Sequence, residues 1–515
     1  MNLVRAFRTV VRYNGPRPAL LDAARSYSWA EFGERVARLA GALRALGIER
    51  GSRFAILARN GFRGDELRWA GFWLGAIPVP VNFRLAPPEI AHILEDAACV
   101  KVFIETPFQG ALEHPALAPW RDRAVAIGEA SGANAEPYET MLARAAPAAP
   151  NDPDRDEDAI LLYTGGTTGR SKGVRLSHEG ILASSFAFAL GTGARREHVY
   201  LRAAPMFHSA DLLPLGWQLQ GAASVFLPMF SPAAWLEAVA SWRVGATITV
   251  PTMLIGIVSA PGFAHADVSS LEVLIYGAAP LPLPWIERAA KAFPKADFYN
   301  CYGLTESSPD LTVFDAREFR EAIERGLPHV TSVGKPNVVN EIRVVRADGS
   351  ECAAGEVGEL IARGPNIMLG YLNRPQETAE ALRKGWLHTG DVARVDEAGY
   401  IYLIDRLKDV VRTGGESVYS AEVEAVLERH PAIAEVAVIG VPDERLGETV
   451  AAVIVAKPGA AAPAEVQLDA FCRESLGGFK VPRRFFFAEQ LPKSALGKVL
   501  KAELRQRFGA KPSAG

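Results

Sequence analysis

At 515 residues the chain is too long for one compact core, so two or more domains are expected. Its 49% hydrophobic and 22% charged residues are ordinary for a soluble globular enzyme, and a net charge of −3 offers no basic field, which excludes nucleic acid as a partner. Cys99, Cys301, Cys352 and Cys472 are scattered without a CxxC pair, which argues against a disulfide framework or a zinc site.

The first eight residues lack the apolar core and cleavage site of a signal peptide, and no apolar run is long enough to span a bilayer. A soluble, cytoplasmic protein is therefore expected. Ser28 and Glu31 have capping-box spacing ahead of Phe32, Val36, Leu39, Leu43 and Leu46, predicting a helix that Gly47 stops. A strand at Arg53–Ala58, a helix from about Pro87 to Ala97 and a strand at Val100–Ile104 follow. This alternation predicts a mostly parallel sheet with helices on both faces. Residues 143–158, alanine- and proline-rich and then acidic, read as a solvated connector. Alternation resumes with strands at Val199–Arg202, Ala223–Leu227, Ala246–Val250 and Leu271–Tyr276, and helices at Trp235–Trp242 and Pro284–Phe293. From about Asn340 the texture turns to short strands, with a hairpin signal at Asp348-Gly349. From Arg406 onward a compact piece carries a helix at Ser420–His430 and β-rich runs at Glu435–Gly440 and Val450–Val455.

The stretch Tyr163–Val174 comes off the apolar run Ala159-Ile-Leu-Leu, which reads as a buried strand. Closely spaced glycines let backbone N–H groups approach an anion, threonine hydroxyls add donors, and Lys172 adds a point charge. The loop reads as a polyphosphate cradle. It is not a Walker A loop, because no Gly-Lys-Ser/Thr stands at the required spacing, and it does not fit the dinucleotide pattern.

Other stretches stand in order along the chain: Ala204–His208, Tyr276–Leu281, Tyr302–Glu306, Gly385–Asp391, Asp405–Asp409 with Gly414-Gly-Glu416, and Pro492–Lys498. Together with Tyr163–Val174 this set resembles the adenylate-forming superfamily of acyl-CoA synthetases, peptide-synthetase adenylation domains and beetle luciferases. The resemblance implies an α/β fold. It comprises a large N-terminal domain, residues 1–405, with doubly wound sheets and a small β-rich subdomain. A small mobile α+β C-terminal domain, residues 406–515, follows. The implied chemistry has two steps: a carboxylate attacks the α-phosphorus of ATP, then a thiol attacks the acyl adenylate. A mixed anhydride supplies the leaving group that a bare carboxylate lacks. ATP, Mg²⁺ and coenzyme A are the implied cofactor and co-substrates.

The same resemblance assigns residues. Thr164, Gly165, Gly166, Thr167, Thr168, Gly169 and Lys172 should hold the β- and γ-phosphates. The family pattern more often has Ser at 165 and Pro at 171, where this chain has Gly165 and Ser171. Gly277, Ala278, Ala279, Tyr302 and Gly303 should line the nucleotide, Thr305 should contact the α-phosphate, and Glu306 and Thr168 should ligate Mg²⁺. Asp391 should accept both ribose hydroxyls, with Arg406 beside it. Lys498 should neutralise charge developing between carboxylate and α-phosphate. Lys408 matches the hinge, and Gly414 and Gly415 should line the pantetheine channel.

His208 resembles the position that closes over the acyl carboxylate. It follows Phe207 where peptide-synthetase domains place an Asp, which disfavours an α-amino acid; Asp211, a little later, partly confounds that argument. Ala210, Leu212, Gly216, Gly277, Ala278, Gly303 and Ser308 are candidate pocket walls whose small size suggests room for a bulky acyl group. The expected substrate is a medium- or long-chain fatty acid. The alternatives are an aryl or alicyclic acid, or delivery of the acyl group to a separate carrier protein. A homodimer is one expected assembly.

Overall fold

The computed structural model describes residues 2–128, 138–164, 171–414, 416–443, 445–459, 462–493 and 499–509. The chain packs as two units, Met1–Ile342 with Ala362–His388, and Arg343–Ile361 with Thr389–Gly515. Packing thus groups residues 389–405 with the C-terminal segment, which differs from a single cut at 405/406. A hinge at Lys408 concerns motion rather than packing and belongs with the proposals below.

In the first unit the capping box forms as the sequence predicts. The Ser28 hydroxyl accepts from the Glu31 amide at 3.2 Å, and the Glu31 carboxylate accepts from the Ser28 amide at 2.8 Å. The helix Trp29–Ala45 then buries Phe32, Val36, Leu39 and Leu43, and Gly47 leaves it at a positive φ. Strands Ile77–Pro80, Arg53–Leu57, Lys101–Glu105 and Ala124–Ile127 lie side by side in that order, all parallel. Residues 143–158 are largely exposed, as expected of a solvated connector, but they are pinned to the unit at points. They begin inside the helix Tyr138–Arg144 and then lie against Trp29–Ala45. Ala148 is buried, its amide donates to Ala37 O at 2.8 Å, and its carbonyl accepts from Trp73 Nε1 at 2.9 Å. Gly41 makes this approach possible: a Cβ there would stand 1.9 Å from Ala146 O.

A nine-stranded sheet runs in the order Lys335–Pro336, Thr312–Phe314, Asp297–Tyr302, Val273–Gly277, Ala246–Thr249, Val199–Arg202, Ala223–Phe226, Pro18–Leu21, Tyr27–Ser28. The strands from Asp297–Tyr302 through Pro18–Leu21 are parallel, and the outer ones are antiparallel. Chain order reverses at Val199–Arg202: Ala223–Phe226 lies on one side of it and Ala246–Thr249 on the other. Such a reversal opens a crevice at the carboxyl ends of the strands, where open α/β sheets bind ligands. The strand Asp297–Tyr302 was not read from the sequence, because Asp297 and Asn300 look like turn formers. Its buried Asn300 amide is satisfied by Ser332 O at 2.9 Å. A further sheet joins Asp158–Thr164, Lys172–Ser177 and Gly370–Tyr371.

In the second unit, Arg346 N donates to Ser350 O at 2.8 Å around the expected Asp348-Gly349 turn. Strands Glu416–Val418, Val411–Thr413, Gly447–Ala456 and Ile433–Asp443 form a sheet, with Arg484–Phe487 beside Gly447–Ala456. One face packs on the helices Ser420–Leu427 and Glu465–Arg473 through Val423, Leu427, Leu468 and Cys472. Among the described residues no helix is long and apolar enough to cross a membrane.

Candidate active site

Strands Asp158–Thr164 and Lys172–Ser177 pair antiparallel so that Thr164 faces Lys172. Gly165, Gly166, Thr167, Thr168 and Gly169 lie outside the described residues, but both ends of their segment are anchored in this hairpin. The Lys172 ammonium stands 5.3 Å from the centre of the Tyr371 ring and 3.9 Å from Glu377 Oε1. The Tyr371 hydroxyl donates to Glu306 Oε1 at 2.8 Å. The Tyr371 side chain therefore touches both the expected phosphate lysine and the expected metal carboxylate. Sequence reasoning missed Tyr371; its only signal was the Gly370-Tyr pair.

The loops expected to bind nucleotide and acid leave the carboxyl ends of the large sheet. Gly277–Ala279 follow Val273–Gly277, with Ala278 at φ +68°, a conformation uncommon for a residue with a Cβ. Gly303–Glu306 follow Asp297–Tyr302, and Thr305 Oγ1 donates to Ser209 Oγ at 3.1 Å, bringing Thr305 to the residue after His208. The turn after Glu306 is braced by the Asn366 amide, which donates to Ser307 O at 2.8 Å and Asp310 O at 2.7 Å. Ala204–His208 follow Val199–Arg202 at the point of reversal. Buried Asn60, also missed in the sequence, holds this loop: its amide donates to Ala204 O at 2.9 Å and accepts from Met206 N at 2.9 Å.

His208 keeps some surface exposure as a residue, yet burial of its ring, with a lesser push from the Arg84 guanidinium, lowers it to about 4. The imidazole is neutral at physiological pH, so it can close over a carboxylate as a neutral group but cannot supply an imidazolium charge. The pH profile of acid-dependent pyrophosphate release should therefore show no His208 ionisation between about pH 6 and 7, where an ordinary histidine titrates. Profiles of the native enzyme and His208→Gln should run parallel across that range. An acid limb near pH 6.5 lost in the variant would refute the assignment.

Asp211 does not face an amino-group site. It is 1% exposed and accepts from Arg68 Nη1 at 2.7 Å and from Arg202 Nη1 at 3.0 Å. Asp65 completes the cluster by pairing with Arg68 and accepting from Gln218 Nε2 at 2.6 Å. Burial alone would raise Asp65, but Arg202 and Arg68 outweigh it and hold the carboxyl below its ordinary value. The small size of three candidate pocket walls also has a packing cause. A Cβ at Gly216 would stand 2.7 Å from Ser185 O, one at Gly277 2.5 Å from Cys301 O, and one at Gly303 1.7 Å from Pro309 O.

In the second unit Asp391 pairs in register with Arg406, and Arg406 Nε lies 2.6 Å from Asp391 Oδ1. The Asp391 amide donates to Thr389 Oγ1 at 3.0 Å, and that hydroxyl donates to Leu360 O at 2.6 Å, so the carboxylate sits on a braced backbone. Lys408 is lowered chiefly by burial. Its neighbour Asp409 is tied to the helix Lys501–Phe508 by Arg505 Nη2 at 2.7 Å. Gly414 turns at φ +58°, and a Cβ there would stand 3.1 Å from Leu446 Cδ2. Gly415 and Lys498 lie outside the described residues. The segment containing Lys498 is flanked by a bridge between Lys493 and Val499 and by Leu500 N donating to Pro492 O at 2.8 Å.

A parallel sheet with a crevice at its reversal point, and a hairpin whose Lys172 shares Tyr371 with the Glu306 carboxylate, suit a nucleotide-dependent enzyme. The family model for AMP-binding enzymes matches residues 7–372, and that for the AMP-binding enzyme C-terminal domain matches residues 422–498. The chain belongs to this adenylate-forming family, in its acyl-CoA synthetase branch. It is 38% identical over 504 residues to a feruloyl-CoA synthase of Amycolatopsis sp, covering 97% of this chain and 96% of the relative. It is 34% identical over 501 residues to the fatty acid–[acyl-carrier-protein] ligase ScoC of Streptomyces coeruleorubidus, covering 95% and 93%. ATP-bound MatB from Rhodopseudomonas palustris shares the fold with a TM-score of 0.87 and 28% identity over 99% of each chain.

The protein is an AMP-forming acid–thiol ligase, and its cofactors are those of the family: ATP, Mg²⁺ and CoA. The residues present fit the metal. Among the described residues no group of three or more His, Cys, Asp or Glu is arranged to hold an ion. Mg²⁺ on a nucleotide needs none, because one carboxylate, phosphate oxygens and water complete its shell. Glu306 would meet that need: Tyr371 engages one of its oxygens, and a carboxylate has acceptor capacity beyond that bond.

Proposed function

We propose that this ATP-dependent CoA ligase acts on an aromatic carboxylic acid rather than a long-chain fatty acid. The observation that carries the choice is the cluster of aromatic rings beside His208, because the packing at Gly216, Gly277 and Gly303 removes size as a ground for a long-chain channel. Backbone oxygens occupy the space their missing side chains leave, so their smallness is no argument for a deep acyl channel. Phe207, Phe83 and Phe108 cluster beside His208, with Phe83 edge-on to Phe207 at 5.5 Å and stacked on Phe108 at 4.9 Å. Such rings favour edge and face contacts with another aromatic ring. The feruloyl-CoA synthase relative carries an aromatic acid in its name.

In this reading residues 164–169 and Lys172 hold the phosphates, and Glu306 with Thr168 holds Mg²⁺, which offsets phosphate charge when bound. Gly277–Ala279, Tyr302 and Gly303 line the nucleotide, Thr305 meets the α-phosphate, and His208 covers the acid. Asp391 and Arg406 take the ribose. Lys498 serves the first half-reaction from a domain spanning residues 406–515, which swings about Lys408 relative to residues 1–405. Gly414 and Gly415 then line the thiol channel.

The test is pyrophosphate release from ATP and Mg²⁺ across cinnamates, benzoates, medium- and long-chain fatty acids and amino acids, with and without CoA. The highest kcat/KM should fall on a cinnamate or benzoate, and CoA should accelerate release. A preference for long-chain acids would overturn the aromatic assignment. Release indifferent to CoA but accelerated by an acyl carrier protein would replace CoA as the acceptor.

A further inference from the structure

Tyr371 enters neither of the assignments above, yet it touches two of the groups they depend on. Its backbone is held from both sides. It pairs antiparallel opposite Val174, with Leu372 N donating to Gly173 O at 2.8 Å and Leu369 N donating to Arg175 O at 2.9 Å. On the other side, Tyr371 N donates to Thr378 Oγ1 at 2.9 Å, and that hydroxyl donates to Arg374 O at 2.7 Å at the start of the helix Pro375–Ala381. The ring position is therefore set by a strand and a helix.

From that position the phenol O–H reaches Glu306 Oε1 at 2.8 Å, while Met368 N, three residues earlier, donates to the Glu306 carbonyl at 2.8 Å. One short segment grips Glu306 at both its backbone and its carboxylate. The face of the same ring carries Lys172 Nζ at 5.3 Å from its centre, within cation–π range. A hydrogen bond to one carboxylate oxygen restricts rotation about the terminal torsion and fixes where the second oxygen points. Partners of this outer kind orient metal ligands.

We infer that Tyr371 is a positioning residue of the MgATP site, its hydroxyl setting the rotation of the Glu306 carboxylate and its ring seating Lys172. The inference rests on the reading of Glu306 as metal ligand and Lys172 as phosphate ligand. It separates into two halves, because Tyr371→Phe removes the hydroxyl and keeps the ring, whereas Tyr371→Leu removes both.

The experiment is calorimetric ATP binding to the full chain as a function of Mg²⁺, for the native protein, Tyr371→Phe, Tyr371→Leu and Glu306→Gln, with thermal melting of each. Tyr371→Phe should raise the Mg²⁺ concentration for half-maximal tightening of ATP about tenfold and leave Mg²⁺-free ATP binding unchanged. Tyr371→Leu should in addition weaken Mg²⁺-free binding. A native Mg²⁺ dependence in Tyr371→Phe beside a shifted one in Glu306→Gln would make Tyr371 a packing residue and overturn the inference. A lowered melting temperature in Tyr371→Phe without a Mg²⁺ shift would do the same. If Glu306→Gln also leaves the Mg²⁺ dependence untouched, the metal assignment of Glu306 fails and this inference falls with it.

Discussion

Replacing Lys498 by alanine should lower acid-dependent pyrophosphate release by about 10²–10³-fold, the cost of losing one preorganised group aimed at developing charge. The reaction of preformed acyl adenylate with CoA should stay close to the native rate. The asymmetry follows from where charge develops. In the first half-reaction an anionic carboxylate approaches an anionic α-phosphate and a cation between them lowers the barrier, whereas thiol attack on the adenylate releases AMP from a neutral acyl carbon. Alanine should act locally, because the flanking residues are held by contacts of their own. Leu491 and Leu504 share a buried cluster, Lys493 and Val499 form a bridge, and Lys493 Nζ pairs with Glu435 at 2.7 Å. Lys493→Ala is the control: that exposed ion pair contributes about 0–1 kcal/mol, so both half-reactions should survive its loss. Equal damage to both half-reactions in Lys498→Ala would show that the lysine supports the domain rather than the chemistry.

What the sequence made legible was local. The helix Trp29–Ala45 could be read because its cap, its apolar period and its glycine stop all lie within a few turns of one another. The parallel strands could be read as apolar runs between helical patterns. The order of those strands could not, since adjacency of Val199–Arg202 to both Ala223–Phe226 and Ala246–Thr249 is a tertiary choice that no local pattern encodes. In the exposed connector 143–158 the buried contact at Ala148 was missed for a related reason. Its composition is that of a loop, and what buries Ala148 is a groove over Gly41 on a helix a hundred residues earlier. The strand Asp297–Tyr302 was missed because propensity disfavours its Asp and Asn, and the partner that offsets this, Ser332 O, is remote in the chain.

The site shows the same division. Residues expected to touch nucleotide or acid stand in short ordered motifs, because glycine turns and single charges must be adjacent to meet one ligand. Residues that hold them come from elsewhere: Asn60 braces the loop before His208, Ser209 meets Thr305, and Tyr371 meets Glu306 from beyond residue 360. No spacing rule links those pairs. Asp211 is the instructive case, since by sequence alone its carboxylate could have met a substrate ammonium, and only the arginines around it decide otherwise.

Asp211→Ala should accordingly be a stability variant rather than a specificity variant, costing about 3–5 kcal/mol, the usual penalty for breaking a buried ion pair from one side. The two arginines and two aspartates lie between 0% and 3% side-chain exposure, so water cannot replace the missing partner. Arg202 Nε and Nη2 and Arg68 Nε already have no hydrogen-bond partner, and the variant would take the hydrogen bonds of Arg202 Nη1 as well. Asp65 compensates only in part, because its ion pair with Arg202 at 3.6 Å is too long for a hydrogen bond and it already takes Arg68 and Gln218. Urea unfolding of the first unit's transition should show the loss. Adding Arg202→Met to Asp211→Ala should recover part of it by removing the stranded charge, a coupling that a double-mutant cycle measures directly. The amine-site alternative makes the opposite forecast: a nearly native unfolding midpoint and a changed response to amino acids in the pyrophosphate assay. A loss below about 1 kcal/mol, the scale of an exposed pair, would mean that the cluster is solvated and would reopen Asp211 as a ligand for substrate.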